Sequence, residues 1–126
     1  MKKRIFISFA KEDSRLRDLL VGQARNENCP FDFIDMSVKE PWDLAWKSKC
    51  RTKIKGCDGM IAIITQNTKI ASGEIWEINC ANQEEVPCIG IWGHYEDQLK
   101  NLPAEIKYLR IIDWNWSNIA KWLEQI

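Results

Sequence analysis

The chain has 126 residues, the length of one domain, and its 45% hydrophobic and 29% charged content is that of a globular protein and not of a disordered one. Eighteen basic residues balance eighteen acidic ones, which argues against a strongly basic nucleic-acid binder or a polybasic membrane anchor. No apolar run reaches the roughly 20 residues of a membrane span, and Lys11, Glu12 and Asp13 cut short the apolar stretch behind the basic N-terminus, so a soluble, cytoplasmic protein is expected.

In chain order, residues 3–9 read as a first strand. Asp13 or Ser14 can cap a helix whose apolar stripe is Leu16, Leu19, Leu20 and Ala24. Residues 31–36 give a second strand and 37–41 a loop. A helix follows with Trp46, Cys50, Ile54 and Cys57 about one turn apart. Residues 60–64 are an uninterrupted apolar run, the pattern of a strand buried on both faces. After a loop over 65–71, Ser72 is the expected N-cap of a helix reaching Glu85. Residues 86–92 form a fourth strand, with Pro87 at its start. Residues 93–109 are irregular except for one turn near 104–107, residues 110–113 make a fifth strand, and Ile119, Trp122, Leu123 and Ile126 mark a closing amphipathic helix. Strand and helix alternate throughout, which predicts βαβ units with right-handed crossovers. The expected fold is therefore one α/β domain over 1–126: a flavodoxin-like, doubly wound, five-stranded parallel sheet in the order 2-1-3-4-5, with helices on both faces.

Five cysteines, an odd number without a C-x-x-C pair, and a single histidine, His94, offer no set of zinc ligands. No metal site is expected; the cysteines read as reduced small hydrophobes and His94 as an exposed turn residue. Charge is unevenly spread: residues 1–55 carry thirteen basic and eight acidic side chains, residues 56–126 five and ten. That leaves head-to-tail association open beside the plainer reading of segregated solvated faces. The basic residues at 47, 49, 51, 53 and 55 fall around their helix and make no single stripe.

In a doubly wound sheet, ligands bind beyond the C-terminal strand ends where strand order reverses, here between the first and third strands. The bordering segments are 9–13, 35–42 and 65–72. No G-x-G-x-x-G follows the first strand and no Walker A sequence occurs, which excludes a glycine-rich phosphate loop. Ala10-Lys11-Glu12-Asp13 is not the Ser/Thr/Gly-rich loop of a flavodoxin. The third strand ends in Ile64-Thr65, not in the Asp of a response regulator.

Arg4-Ile5-Phe6-Ile7-Ser8-Phe9 followed by Lys11-Glu12-Asp13 resembles the opening strand and first loop of TIR domains. Asp35-Met36-Ser37-Val38-Lys39-Glu40-Pro41-Trp42, with Trp46 after it, resembles the second loop of the TIR-like family of bacterial Thoeris antiphage defence. Thr65-Gln66-Asn67-Thr68 and Ser72-Gly73-Glu74-Ile75-Trp76-Glu77-Ile78 resemble that family's loop and glutamate-bearing helix. The likeness covers essentially the whole chain. It places Glu77 on the catalytic glutamate, Ser8, Phe9 and Lys11 beside the substrate at the first loop, and Asp35, Ser37 and Trp42 on the second loop, with Trp46 beyond. The family often has tryptophan one turn before the glutamate; Gly73 stands there instead, so Trp76 or a second-loop tryptophan is expected to supply the aromatic wall.

The resemblance implies an enzyme with NAD⁺ as substrate and no separate cofactor. It would release nicotinamide and form an ADP-ribose-derived nucleotide, cyclic if the adenosine half attacks and linear if water does. That product would activate a separate effector, and TIR-type contacts imply self-association. Two other readings remain: a non-catalytic TIR-type interaction module, and a nucleoside deoxyribosyltransferase-like enzyme that also works with one glutamate. Chemically, one glutamate suffices for NAD⁺, because the nicotinamide leaving group is already a cation and departs without a proton; ordinary glycoside hydrolysis needs a second carboxyl group to protonate the leaving oxygen. Periodicity alone, however, puts Glu77 with Glu74 and Glu84 on a solvated helix face. Of the seven tryptophans, Trp46 and Trp122 read as core, Trp114 and Trp116 as packing, and Trp42 as the candidate for ligand or partner contact.

Overall fold

The computed structural model describes residues 3–28, 31–36, 39–40, 42–94, 96 and 102–126. Its elements run β1 (Arg4–Ser8), α1 (Ser14–Asn26), β2 (Asp32–Ile34), α2 (Leu44–Lys55), β3 (Gly59–Ile64), α3 (Ser72–Gln83), β4 (Cys88–Trp92), β5 (Ile111–Ile112) and α4 (Trp116–Gln125), with 3-10 turns at Lys11–Asp13, Gln66–Ile70 and Ala104–Ile106. The five strands form one all-parallel sheet in the order β2-β1-β3-β4-β5, the doubly wound arrangement read from the sequence.

β3 lies at the centre and every one of its residues is buried, as its continuous apolar run requires. Alternation along the strands divides the core. Ile5, Ile7, Ile61, Ile63, Ile89 and Ile91 face a layer built from α1 and α4. Phe6, Met60, Ala62 and Ile64 face α2 and α3. Each set follows the two-residue period of a strand, so the helices cover both faces. No helix among the described residues is long and apolar enough to cross a membrane.

Local chemistry sets the helix starts. Asp43 caps α2 by accepting from the amides of Ala45 and Trp46, and Asn115 caps α4 through the Asn118 amide. Two cap expectations need correction. Ser72 is the first residue of α3 and not its cap; Ala71 holds the cap position with no side-chain bond, because the preceding turn runs directly into the helix through Ala71 N–H to Thr68 C=O. Asp13 stands before α1, but its carboxylate bonds elsewhere. The 65–71 segment, read as a loop, is a 3-10 turn closed by a capping box between Thr65 and Thr68.

Candidate functional site

Three separate segments meet at the C-terminal edge of the sheet beside β1 and β3. Ser8 is the last residue of β1 and pairs in register with Ala62 of β3. Thr65 follows β3, and α3 begins shortly after, so its first two turns face the strand ends. The two loops are pinned together by Asp13, which is buried and accepts from Thr65 Oγ1 at 2.5 Å and from Asn67 Nδ2 at 2.8 Å.

At the centre is Glu77, 0% exposed. Ser8 Oγ donates to its Oε1 at 2.8 Å, and Lys39 Nζ donates to Oε1 at 2.8 Å and Oε2 at 2.9 Å. Cys50 Sγ, from α2, lies 3.7 Å from Oε2. Burial raises the Glu77 pKa above the ordinary carboxylate value, while the Lys39 charge and the hydrogen bonds from Lys39, Ser8 and Cys50 oppose that rise. Burial also drives the Cys50 thiol far up, with the Glu77 charge adding to it, so Cys50 is a neutral donor and no thiolate nucleophile. The periodicity reading of a solvated face is thus overturned for Glu74 and Glu77. Both are fully buried because α3 packs its small and polar side, including Gly73 and Ala81, into the fold.

Lys39 closes the site. Its side chain is only 6% exposed, and its ammonium also lies 4.5 Å from the centroid of the Phe9 ring. Its stem crosses α3 at Gly73, where an added Cβ would stand 2.6 Å from Lys39 Cβ. The absence of a side chain at Gly73 therefore leaves room for a lysine stem. Neither Lys39 nor Glu74 was singled out from the sequence, and the only hint of Lys39 was that missing bulk at Gly73.

The remaining expected residues divide. Phe9 is wholly buried in the α1-side core, with Arg17 and Lys39 both over its ring. Asp35 pairs with Arg17 at 2.7 Å and anchors the second loop to α1. Trp46 is buried against α3, its ring 5.1 Å from that of Trp76, which Arg51 covers; this pair joins α2 to α3. Lys11 is exposed and Trp42 is 77% exposed. Both line a cavity of about 150 Å³ together with Lys39, Gly73 and Glu74. Ser37 lies outside the described residues. A larger open groove of about 1030 Å³ runs along α1 between Leu19 and Trp114, and it contains none of these residues.

The sequence matches no protein-family model and no curated protein. Solved structures do match it. The TIR domain of the Toll-related receptor TRR-2 from Hydra magnipapillata superposes with a TM-score of 0.66 at 13% identity, over 95% of this chain and 97% of that one. A prokaryotic SEFIR domain gives 0.57 at 19% identity, over 98% and 95%. The TIR domains of the activated Roq1 resistosome, which directly recognizes the pathogen effector XopQ, give 0.50 at 14% identity, over 72% and 57%. At these identities the likeness establishes the fold: that of TIR and SEFIR domains.

Proposed function

We propose that the chain binds NAD⁺ at the sheet edge beside β1 and β3 and cleaves it to nicotinamide and an ADP-ribose product, with Glu77 as the catalytic residue. The observation that carries this reading is one fully buried carboxylate, oriented by Ser8 and neutralised by Lys39, at the end of the first strand of a TIR-type fold. A TIR fold alone does not specify activity. What favours catalysis is that a carboxylate removed from water and held by fixed donors is pre-organised to stabilise positive charge developing on a ribose.

In the arrangement observed, both Glu77 oxygens are occupied by Lys39, so this is a closed form. Substrate reaches the carboxylate when the Lys39 side chain swings off it. The freed carboxylate then faces the ribose as the cationic nicotinamide departs, with no acid needed. Limited water at such a buried group favours attack by the adenosine half and hence a cyclic product, which would act on a separate effector as in the Thoeris systems the sequence resembles.

One observation favours a second reading, an interaction module without catalysis: Trp42, Leu44 and Ile70 are strongly exposed, and Trp42 and Ile70 line the same cavity. Incubating the native chain and Glu77→Gln with NAD⁺ at high protein concentration, with mass spectrometry of the products, separates the readings. Nicotinamide from the native chain alone is expected, with the partner's mass telling cyclic from linear product. Full turnover by a folded Glu77→Gln would remove Glu77 from the mechanism. Base exchange on a deoxynucleoside without NAD⁺ loss would favour the deoxyribosyltransferase reading.

A further inference from the structure

Glu74, one turn before Glu77 on α3, is 0% exposed, and both of its carboxyl oxygens are sealed from solvent without a hydrogen-bond donor among the described residues. The Thr68 side chain eases the effect of burial without reaching hydrogen-bonding geometry. A buried carboxyl group without partners works against folding, and an apolar side chain of similar size would serve the core better. The titratable groups that act on it or feel it are Glu77 on the same helix, Lys39 from the second loop, Asp13 from the first loop and Cys88 at the start of β4. Lys39 is the one cation among them, and Asp13 is already held by Thr65 and Asn67. No cation arriving from solvent reaches oxygens closed in this way, so a partner for Glu74 has to come from inside the fold.

We infer that Glu74 is a second seat for the Lys39 ammonium, which moves to it from Glu77 when the site opens. Glu74 is then a positioning residue that acts through Lys39. The purpose of the movement rests on the NAD⁺ reading proposed above; the movement itself does not. The geometry suits a short transfer. Lys39 Cβ, Cγ and Cδ lie 2.6, 3.1 and 3.3 Å from where a Cβ on Gly73 would stand, so the stem rides over the residue next to Glu74. Its ammonium sits one turn further along, bridging both oxygens of Glu77. Positions three apart on a helix hold their Cβ atoms about 5–6 Å from each other. Rotation about the last bonds of the lysine covers much of that distance while the stem stays in place.

Release of Lys39 into water is the competing route, and it leaves two buried carboxyl groups behind with no countercharge. Transfer to Glu74 keeps one ion pair inside the fold throughout, so the closed and open forms differ by the exchange of one pair for another. Protons balance along this route. In the closed form Lys39 and Glu77 are charged. Burial, reinforced by the Glu77 charge and opposed by Thr68 and Lys39, holds Glu74 well above the ordinary carboxylate range and so in its neutral form. When Lys39 arrives, Glu74 gives up its proton. In the free chain Glu77, stripped of its countercharge, takes that proton up. With a cationic substrate against Glu77, that carboxylate stays ionised and the proton passes to solvent.

The test reads both ends of the transfer without substrate. Glu77→Gln removes the charge of the first seat, and Glu77→Met removes its acceptors as well. The NMR shift of the Glu74 carboxyl carbon, assigned by its absence in Glu74→Gln, reports ionisation. Acylation of Lys39, read by peptide mass spectrometry, reports whether the ammonium has left for water. Glu74 is expected to be neutral in the native chain at neutral pH and ionised in the Glu77 variants, with Lys39 acylated no faster than in the native chain. Removing both seats, by adding Glu74→Met to Glu77→Met, should raise acylation about ten- to a hundredfold, the value of a hydrogen bond to a charged group. A Glu74 that stays neutral in both Glu77 variants, or a Lys39 acylated as fast in Glu77→Met as in the double variant, would overturn the second seat. Transfer in the variants without NAD⁺ cleavage by the native chain would keep the second seat and remove the proposed reaction. Cleavage that is lost in Glu77→Gln, with Glu74 neutral in both Glu77 variants, would do the reverse.

Discussion

Replacing Lys39 by methionine keeps a long side chain crossing Gly73 and removes the ammonium that bridges both Glu77 oxygens. Taking one partner from a buried ion pair leaves the other charge uncompensated, which destabilises by about 3–5 kcal/mol. Glu77 limits that loss by binding a proton. Burial already holds its pKa above the ordinary value, and the Lys39 charge is the largest opposing influence, so without Lys39 the pKa rises further. A carboxyl group whose folded pKa exceeds its unfolded one lowers stability as pH climbs from the unfolded value to the folded one, by about 1.4 kcal/mol per unit between them. The substitution extends that interval upward. Variant and native chain should therefore differ most at the alkaline end of the range and draw together as pH falls and Glu77 takes up its proton. Urea denaturation across this range reads the difference. A deficit of the same size at both ends would refute the assignment of Lys39 as the countercharge of Glu77.

Gly73→Ala inserts a Cβ 2.6 Å from Lys39 Cβ. Overpacking of about 1–3 kcal/mol is partly offset by the roughly 1 kcal/mol that alanine gains over glycine in a helix. The melting temperature should fall by a few degrees, while acylation of Lys39, read by peptide mass spectrometry, should rise severalfold as the stem is displaced. Asp13→Ala strands the buried Thr65 hydroxyl and frees the Asn67 amide, so urea denaturation should show a loss of about 1–3 kcal/mol.

The sheet was readable because its strands follow simple rules. The 60–64 run is apolar throughout and is buried throughout, and Ile119, Trp122 and Leu123 make an unmistakable stripe on α4. β2 is shorter than its apolar run suggests because it pairs on one side only, with Phe33 partly exposed. α3 defeats periodicity: the residues it buries include Gly73, Glu74, Glu77 and Cys80, a set that no hydrophobicity scale marks as inward-facing. Glu77 becomes a candidate in the sequence only through resemblance. Lys39 was quoted in that resemblance but given no role, because an ion pair between positions 39 and 77 depends on tertiary geometry and not on spacing along the chain. Glu74 was missed for a related reason, since an unpaired buried carboxyl group runs against the rules by which sequences are read.

The sheet's margins are its shortest strands: three residues in β2 and two in β5, against five or six in each strand between them. A margin this brief offers an incoming chain few free amides and carbonyls to pair with, so extension of the sheet by a peptide or a second copy is disfavoured. Any assembly this chain enters must instead be read through side chains on helices and loops. Such contacts are selective, respond to salt where they are charged, and can be abolished by a single surface substitution, whereas backbone pairing would tolerate most sequences.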